Sequence, residues 1–108
     1  MKETTSQLWE VLVSANDNEG NEFPVEHHHV WDEGVRDITG GLTIMRTAKG
    51  QWLDAEGNLF AEKVIPVRVA CGEAEIRQIM ELTIQHYGQL AVMASQISER
   101  VIILEADS

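Results

Sequence analysis

Apolar and polar positions alternate from Leu8 to Ser14, with Trp9, Val11 and Val13 on one side of the backbone and Leu8, Glu10 and Leu12 on the other. A period of two built from β-branched and aromatic residues predicts a strand with at least one buried face. The run Asn16-Asp17-Asn18-Glu19-Gly20-Asn21 ends it, because short amide and carboxylate side chains bond their own backbone and favour turns. The period then changes. Pro24 suits a first helical turn, Trp31, Val35 and Ile38 follow with Val25 or His28 at spacings of three and four, and Gly40-Gly41 closes the pattern, so a helix is predicted over 24–39.

Leu42 to Arg46 and Gln51 to Leu53 are β-type stretches, and Gly50 between them predicts a bulge or bend in one long strand. Asp54-Ala55-Glu56-Gly57-Asn58 reads as a reverse turn, after which Leu59 to Ala70 returns as a second long strand and forms a hairpin with the first. Pro66 cannot donate to a ladder, so it must sit at an outward-facing amide or a bulge. Gly72-Glu73-Ala74-Glu75 opens a second helix whose face is Ile76, Ile79, Met80, Thr83 and Tyr87, and Gly88 ends it. Leu90 to Ile97 is read as strand, followed by a kink at Ser98-Glu99 and strand again through Val101-Ile102-Ile103.

The order βαββαβ is that of a ferredoxin-like α+β sandwich: an antiparallel four-stranded sheet, two helices on one face, and a long central hairpin. At 108 residues the chain is expected to be one domain, with a flexible start at 1–7 and a flexible end at 106–108. One helical layer leaves the other sheet face uncovered. Trp9, Ile44, Val67 and Met93 are the apolar candidates for that face, and a second copy is the expected cover, giving a dimer or a larger homo-oligomer.

Charge narrows the partners. Eight basic against 18 acidic side chains give a net charge of −10, which repels a phosphate backbone, so no nucleic-acid partner is expected. The distribution is uneven: residues 1–40 carry nine acids against Lys2 and Arg36, whereas residues 41–70 hold Arg46, Lys49, Lys63 and Arg68 against Asp54, Glu56 and Glu62. No stretch approaches the ~20 apolar residues of a membrane span, and the first residues lack the apolar core of a secretory signal, so a cytoplasmic protein without a membrane partner is expected. The single Cys71 permits no internal disulfide and no multi-cysteine zinc site.

Gly41-Leu42-Thr43, Gly50-Gln51-Trp52, Asp54 with Gly57, Glu62, a helix ending in Tyr87, and Gln89 with Val92 together form a GLT…GQW…Q-x-x-V pattern. From Leu8 to Leu104 the chain resembles a family of small bacterial and phage-encoded α+β proteins of unknown function. That resemblance implies a ferredoxin-like domain that associates with itself, and it implies no reaction.

Three groups of residues bear on chemistry. His27-His28-His29 lies within the first predicted helix, where consecutive side chains point about 100° apart and cannot converge on one metal. Spacing of four pairs His28 with Asp32 and His29 with Glu33, but neither pair repeats a two-histidine metal motif, so no metal site and no cofactor are expected. In this reading His28 packs beside Trp31 while His27 and His29 are solvated. The acidic loop at 16–21 lacks the ligand order and terminal glutamate of a calcium loop. His86, Tyr87 and Gln89 gather at the negative end of the second helix, where a protonated imidazole is favoured. Cys71 follows a strand and is read as a small buried apolar residue rather than a nucleophile.

No phosphate loop, nucleophile elbow or nucleic-acid fingerprint is present. Two function classes therefore stand open. In the first, a homo-oligomeric binding or regulatory module takes a small anionic ligand through Arg68, Arg46, His86 and Gln89, or its acidic surface masks a basic protein partner. In the second, a small hydrolase or lyase uses His86, Glu62 and His28 as catalytic candidates. The first is the reading adopted, so an enzyme is not the expected outcome.

Overall fold

A computed structural model describes residues 1–107. Strand β1 (Lys2–Ser14) leads through the loop at 15–24 into helix α1 (Val25–Thr39); β2 (Thr43–Ile44), β3 (Ala48–Leu53) and β4 (Leu59–Ala70) follow, then helix α2 (Glu73–Tyr87) and strand β5 (Ala94–Glu105). The five strands form one antiparallel sheet in the order β2-β4-β1-β5, with β3 also paired to β4. Two helices and this sheet make the ferredoxin-like α+β fold.

Both helices end where glycine permits. Gly40 (φ 89°) and Gly88 (φ 65°) adopt the left-handed conformation, and their amides return to the carbonyls of Arg36 and Ile84. The helices pack antiparallel: Trp31 meets Thr83 and Tyr87, and Gly34 lies so close to Leu82 that an added Cβ would stand 2.9 Å from the leucine Cδ2. Beneath them Val11 and Val13 of β1 and Val67 and Val69 of β4 close the core with Trp31, Val35, Ile76, Ile79, Cys71 and Tyr87. Cys71 is buried as read from the sequence, its thiol packing as a small apolar group.

Several boundaries differ from the sequence expectation. The start at 1–7 is not loose: β1 begins at Lys2 and pairs with β5 from Lys2 opposite Glu105 to Ser6 opposite Val101. Of the expected loose end, residue 108 lies outside the described residues, and Asp107 accepts from the Met1 ammonium at 2.6 Å. Residues 89–93 are not strand, so the tail is β only from Ala94; its kink falls where expected, as a bulge at Ser98–Arg100 where Ser98 Oγ accepts from the Arg100 amide and donates to the Arg100 carbonyl. Gly50 is a regular β3 residue opposite Glu62, and the break in the long edge strand lies instead at 45–47, where the register against β4 shifts by one between Ile44–Val67 and Ala48–Val64.

Face assignments also change. Trp9 and Val67, expected on the uncovered face, point to the helices, since Val67 is 1% exposed in the core and Trp9 packs against it while its Nε1 donates to the Cys71 carbonyl at 3.1 Å. The uncovered face carries the half-buried ion pair Arg68–Glu10 at 3.1 Å across the β4–β1 register. Trp52 is 49% exposed and lies outside the core.

Candidate functional site

The register places a groove at one end of the sheet. β1 ends at Ser14 opposite Val64, whereas β4 begins at Leu59, so the β3–β4 hairpin continues past the end of β1 as a two-stranded ribbon. Its tip is the turn read from the sequence: Asp54 Oδ1 accepts from the amides of Glu56 and Asn58 at 2.9 Å, and Gly57 takes a positive φ of 84°. Facing it, the loop after β1 folds on itself in the same way, with Asp17 Oδ1 accepting from the amides of Glu19 and Asn21 at 2.9 Å. Between ribbon and loop lies an open cavity of about 1090 Å³.

Ser14, Asn16 and Asp17 line the cavity from β1 and its loop, Phe23 and His28 from the start of α1, Lys49, Trp52, Phe60, Glu62 and Lys63 from the hairpin, and Gln89 from beyond α2. Ser14 is buried at the strand end and its Oγ donates to Glu62 Oε1 at 2.8 Å, so the carboxylate is held in one orientation. The Asn16 Oδ1 atom is buried in the wall and accepts no hydrogen bond from the protein. Aromatic faces and a fixed carboxylate thus share one concave surface that Lys49 and Lys63, paired in register on the alternate face of the ribbon, also border, which is the composition of a small-molecule site.

An aromatic cluster forms the groove's inner end. Phe23, the residue before Pro24, stacks on His27 with centroids 4.8 Å apart and meets Tyr87 edge-on at 5.1 Å. His27 in turn stacks on His86 at 3.9 Å. Each of these two rings donates from Nε2 to the other residue's backbone carbonyl, at 2.9 Å and 2.6 Å. The His86 carbonyl lies in the last turn of α2, where intrahelical partners run out, so His27 fills a vacancy that a helix end creates. His28 Nδ1 lies 2.6 Å from the Tyr87 hydroxyl. Burial, with a smaller contribution from the carboxylate of Asp32, pushes the Tyr87 phenol far above its ordinary value, so it stays protonated and donates to the imidazole. Burial first, and then the neighbouring His27, lower the His28 pKa, which matches a neutral ring accepting at Nδ1.

Of the residues singled out in the sequence, the groove brings together Glu62, His28 and Gln89. It does not include the others. His86 is engaged with His27, Arg68 is bonded to Glu10, and Arg46 lies in the break between β2 and β3. His27, expected in solvent, is half-buried, and only His29 of the three is exposed. The residues that sequence reasoning passed over are Ser14, Phe23, Phe60, Lys49 and Lys63. Phe23 carried a signal, because an apolar residue just before a helix start commonly folds back on the first turn.

No protein-family model and no curated protein sequence matches this chain. Among solved structures, a phage SAM lyase in complex with S-methyl-5'-thioadenosine is similar over 93% of this chain and 90% of that chain, with a TM-score of 0.67 and 11% identity. CutA1 from Oryza sativa follows the fold over 96% of this chain and 84% of that one, with a TM-score of 0.61 and 10% identity. CutA from Synechococcus elongatus PCC7942 does so over 94% and 85%, with a TM-score of 0.58 and 8% identity. The likeness is one of fold. These neighbours are small α+β proteins, in keeping with the kind of family the sequence resembles, and no helix among the described residues is long and apolar enough to cross a membrane.

Proposed function

We propose that the chain is a small homo-oligomeric binding module whose groove takes a small molecule combining a flat ring with an anionic group. The observation that carries this reading is the meeting of Trp52, Phe60 and Phe23 with Lys49, Lys63 and the Ser14-held Glu62 in one open cavity. A planar ring gains area and stacking from the aromatic walls, and a carboxylate or phosphate finds Lys49 and Lys63. This replaces the arginine pair as the anion receptor, since Arg68 already serves Glu10 across the sheet. The second oxygen of Glu62 suits a donor such as an amine or ring amino group on the same ligand.

Calorimetry against nucleosides with and without an amino-acid tail tests it. S-methyl-5'-thioadenosine supplies the ring alone, and S-adenosylhomocysteine adds amine and carboxylate. Tighter binding of the second is expected, with Lys63→Ala removing the difference between them and Trp52→Ala weakening both about tenfold or more. Arg68→Leu should leave both affinities unchanged. Absence of binding by either compound and by simple aromatic carboxylates at millimolar concentration would retire the proposal.

A lyase is the second reading, favoured by the oriented Glu62, which lines the same cavity as His28, and by the fold shared with the phage SAM lyase. In such a step a sulfonium substrate loses a proton from the carbon next to the C–S bond to Glu62. The C–H electrons form a carbon–carbon double bond, and sulfur leaves with the C–S pair as a neutral thioether. Incubation with S-adenosylmethionine would then release S-methyl-5'-thioadenosine, and Glu62→Gln would stop it; no release above the uncatalysed rate eliminates this reading.

A further inference from the structure

The register leaves a second ribbon at the other end of the sheet. β4 reaches only to Ala70 opposite Leu8, so Lys2–Ser6 of β1 is paired with Val101–Glu105 of β5 alone. This arm carries Ile102, Ile103 and Leu104 exposed in succession beside the polar Lys2–Ser6, and because neighbouring strand residues point to opposite faces, each face of the arm carries apolar side chains of β5. The hairpin ribbon at the far end exposes Trp52, Leu53, Leu59 and Phe60. Each ribbon thus presents a cluster of large apolar side chains to water, which marks an interaction surface.

We propose that the two ribbons cover one another between two copies of the chain, in a two-fold dimer whose molecules lie antiparallel, so that the β1–β5 arm of each copy packs on the β3–β4 hairpin of the other. The inference rests on the groove reading above, and it names what closes that groove's open side: Ile102 to Leu104 of a second copy, laid against Trp52 and Phe60.

Three observations select a second copy as the occupant. The sheet is long, with the molecule extending 54 Å against 29 and 23 Å in the other directions, and the two patches sit at its opposite ends, so one antiparallel alignment satisfies both contacts at once, as a two-fold axis requires. Both contacts of such a pair join apolar side chains, Ile102, Ile103 and Leu104 on one ribbon and Trp52 and Phe60 on the other, each at least 41% exposed in the single chain. Charge points the same way. In a chain of net −10, the stretch from Arg46 to Lys63 is balanced, with Arg46, Lys49 and Lys63 against Asp54, Glu56 and Glu62, whereas the arm and its flanks carry Glu3, Glu99, Glu105 and Asp107 against Lys2, Arg100 and the Met1 ammonium. An acidic arm therefore meets its least repulsive surface at the hairpin.

Sedimentation of the parent chain should give a particle of twice 12.1 kDa at micromolar concentration, and Phe60→Glu and Ile103→Glu should each raise the dimer dissociation constant at least tenfold while keeping the parent's helical circular dichroism. A mixture of Phe60→Cys and Ile103→Cys chains, mildly oxidised, should form the mixed covalent dimer in preference to either like pair. A monomeric parent, or a cross-link between two Phe60→Cys hairpins in preference to the mixed product, overturns the proposal. The groove reading fails separately: a dimer of this form that binds none of the nucleosides rejects the ligand, whereas a monomer that binds them rejects only the interface.

Discussion

His27 and His86, 59 residues apart in sequence, hold each other in a reciprocal arrangement in which each imidazole donates from Nε2 to the other's carbonyl while the two rings stack at 3.9 Å. The contact joins the first turn of α1 to the last turn of α2, and through Phe23 and Tyr87 it fixes the inner end of the groove. His28, one residue further along α1, reaches the groove wall itself because its neighbour is anchored. The shape of the groove at this end therefore depends on interhelical packing.

Acidification should weaken the fold through His28. Its pKa in the folded protein lies below the ordinary value of 6.5, with burial as the main cause, His27, His86 and His29 adding to it and Asp32 opposing. The unfolded chain then takes up the proton first as pH falls, so this contribution leaves stability intact above about pH 6.5 and lowers it progressively below. Thermal melts at pH 7.5 and pH 5 on the parent and on His28→Gln, compared as differences, check this. The parent should lose more than the variant, and an equal loss in both would show that His28 is not responsible.

Thr83→Val should be costly despite its small change in shape. Thr83 is 1% exposed and accepts from Trp31 Nε1 at 3.0 Å while its own hydroxyl donates to the Ile79 carbonyl. Valine leaves a buried indole N–H without a partner, a loss of about 1–3 kcal/mol. Urea denaturation gives the value directly, and Thr83→Ser should retain most of the parent's stability.

The two tryptophans on either side of the groove's framework should separate cleanly. Trp31→Ala empties the centre of the core and is expected to cost about 3–5 kcal/mol. Trp52→Ala removes a half-exposed ring from a ribbon, so its effect on the isolated fold should stay under about 1.5 kcal/mol, with the loss appearing in ligand binding. Equilibrium unfolding of both variants at protein concentrations below the dimer dissociation constant makes the comparison, and a Trp52→Ala cost matching that of Trp31→Ala would place the ring in the core after all.

Cys71 should be inert in the native protein. Burial first, and then the carboxylate of Glu75, push its thiol up to about 11, and the side chain is buried under α2. A disulfide reagent at pH 7.5 is expected to label it slowly in buffer and at once in denaturant; fast native labelling would mean that the strand-to-helix junction opens readily.

Local chemistry alone set much of this molecule. Pro24, Gly40 and Gly88 bound the two helices within a residue of the sequence expectation, the Asp54–Asn58 turn forms as its residues dictate, and the Ser98 kink is present, because caps, turns and periodicity act over a few positions. Site residues were legible only in part: Glu62, His28 and Gln89 stand out by type, but nothing local tells that Ser14 will hold Glu62 or that Arg68 will be occupied by Glu10. Those pairings follow from strand register across some 50 residues, and a slip of one residue would send every side chain to the other face. For the same reason alternation separates the two sides of each strand without saying which one the helices cover, and Trp9 and Val67 lie on the covered side rather than the open one. The lengths of the two ribbons, and hence the groove and the arm, come from where β1 and β4 stop overlapping, and that overlap is decided by burying Val11, Val13, Val67 and Val69 together beneath Trp31 and Ile79.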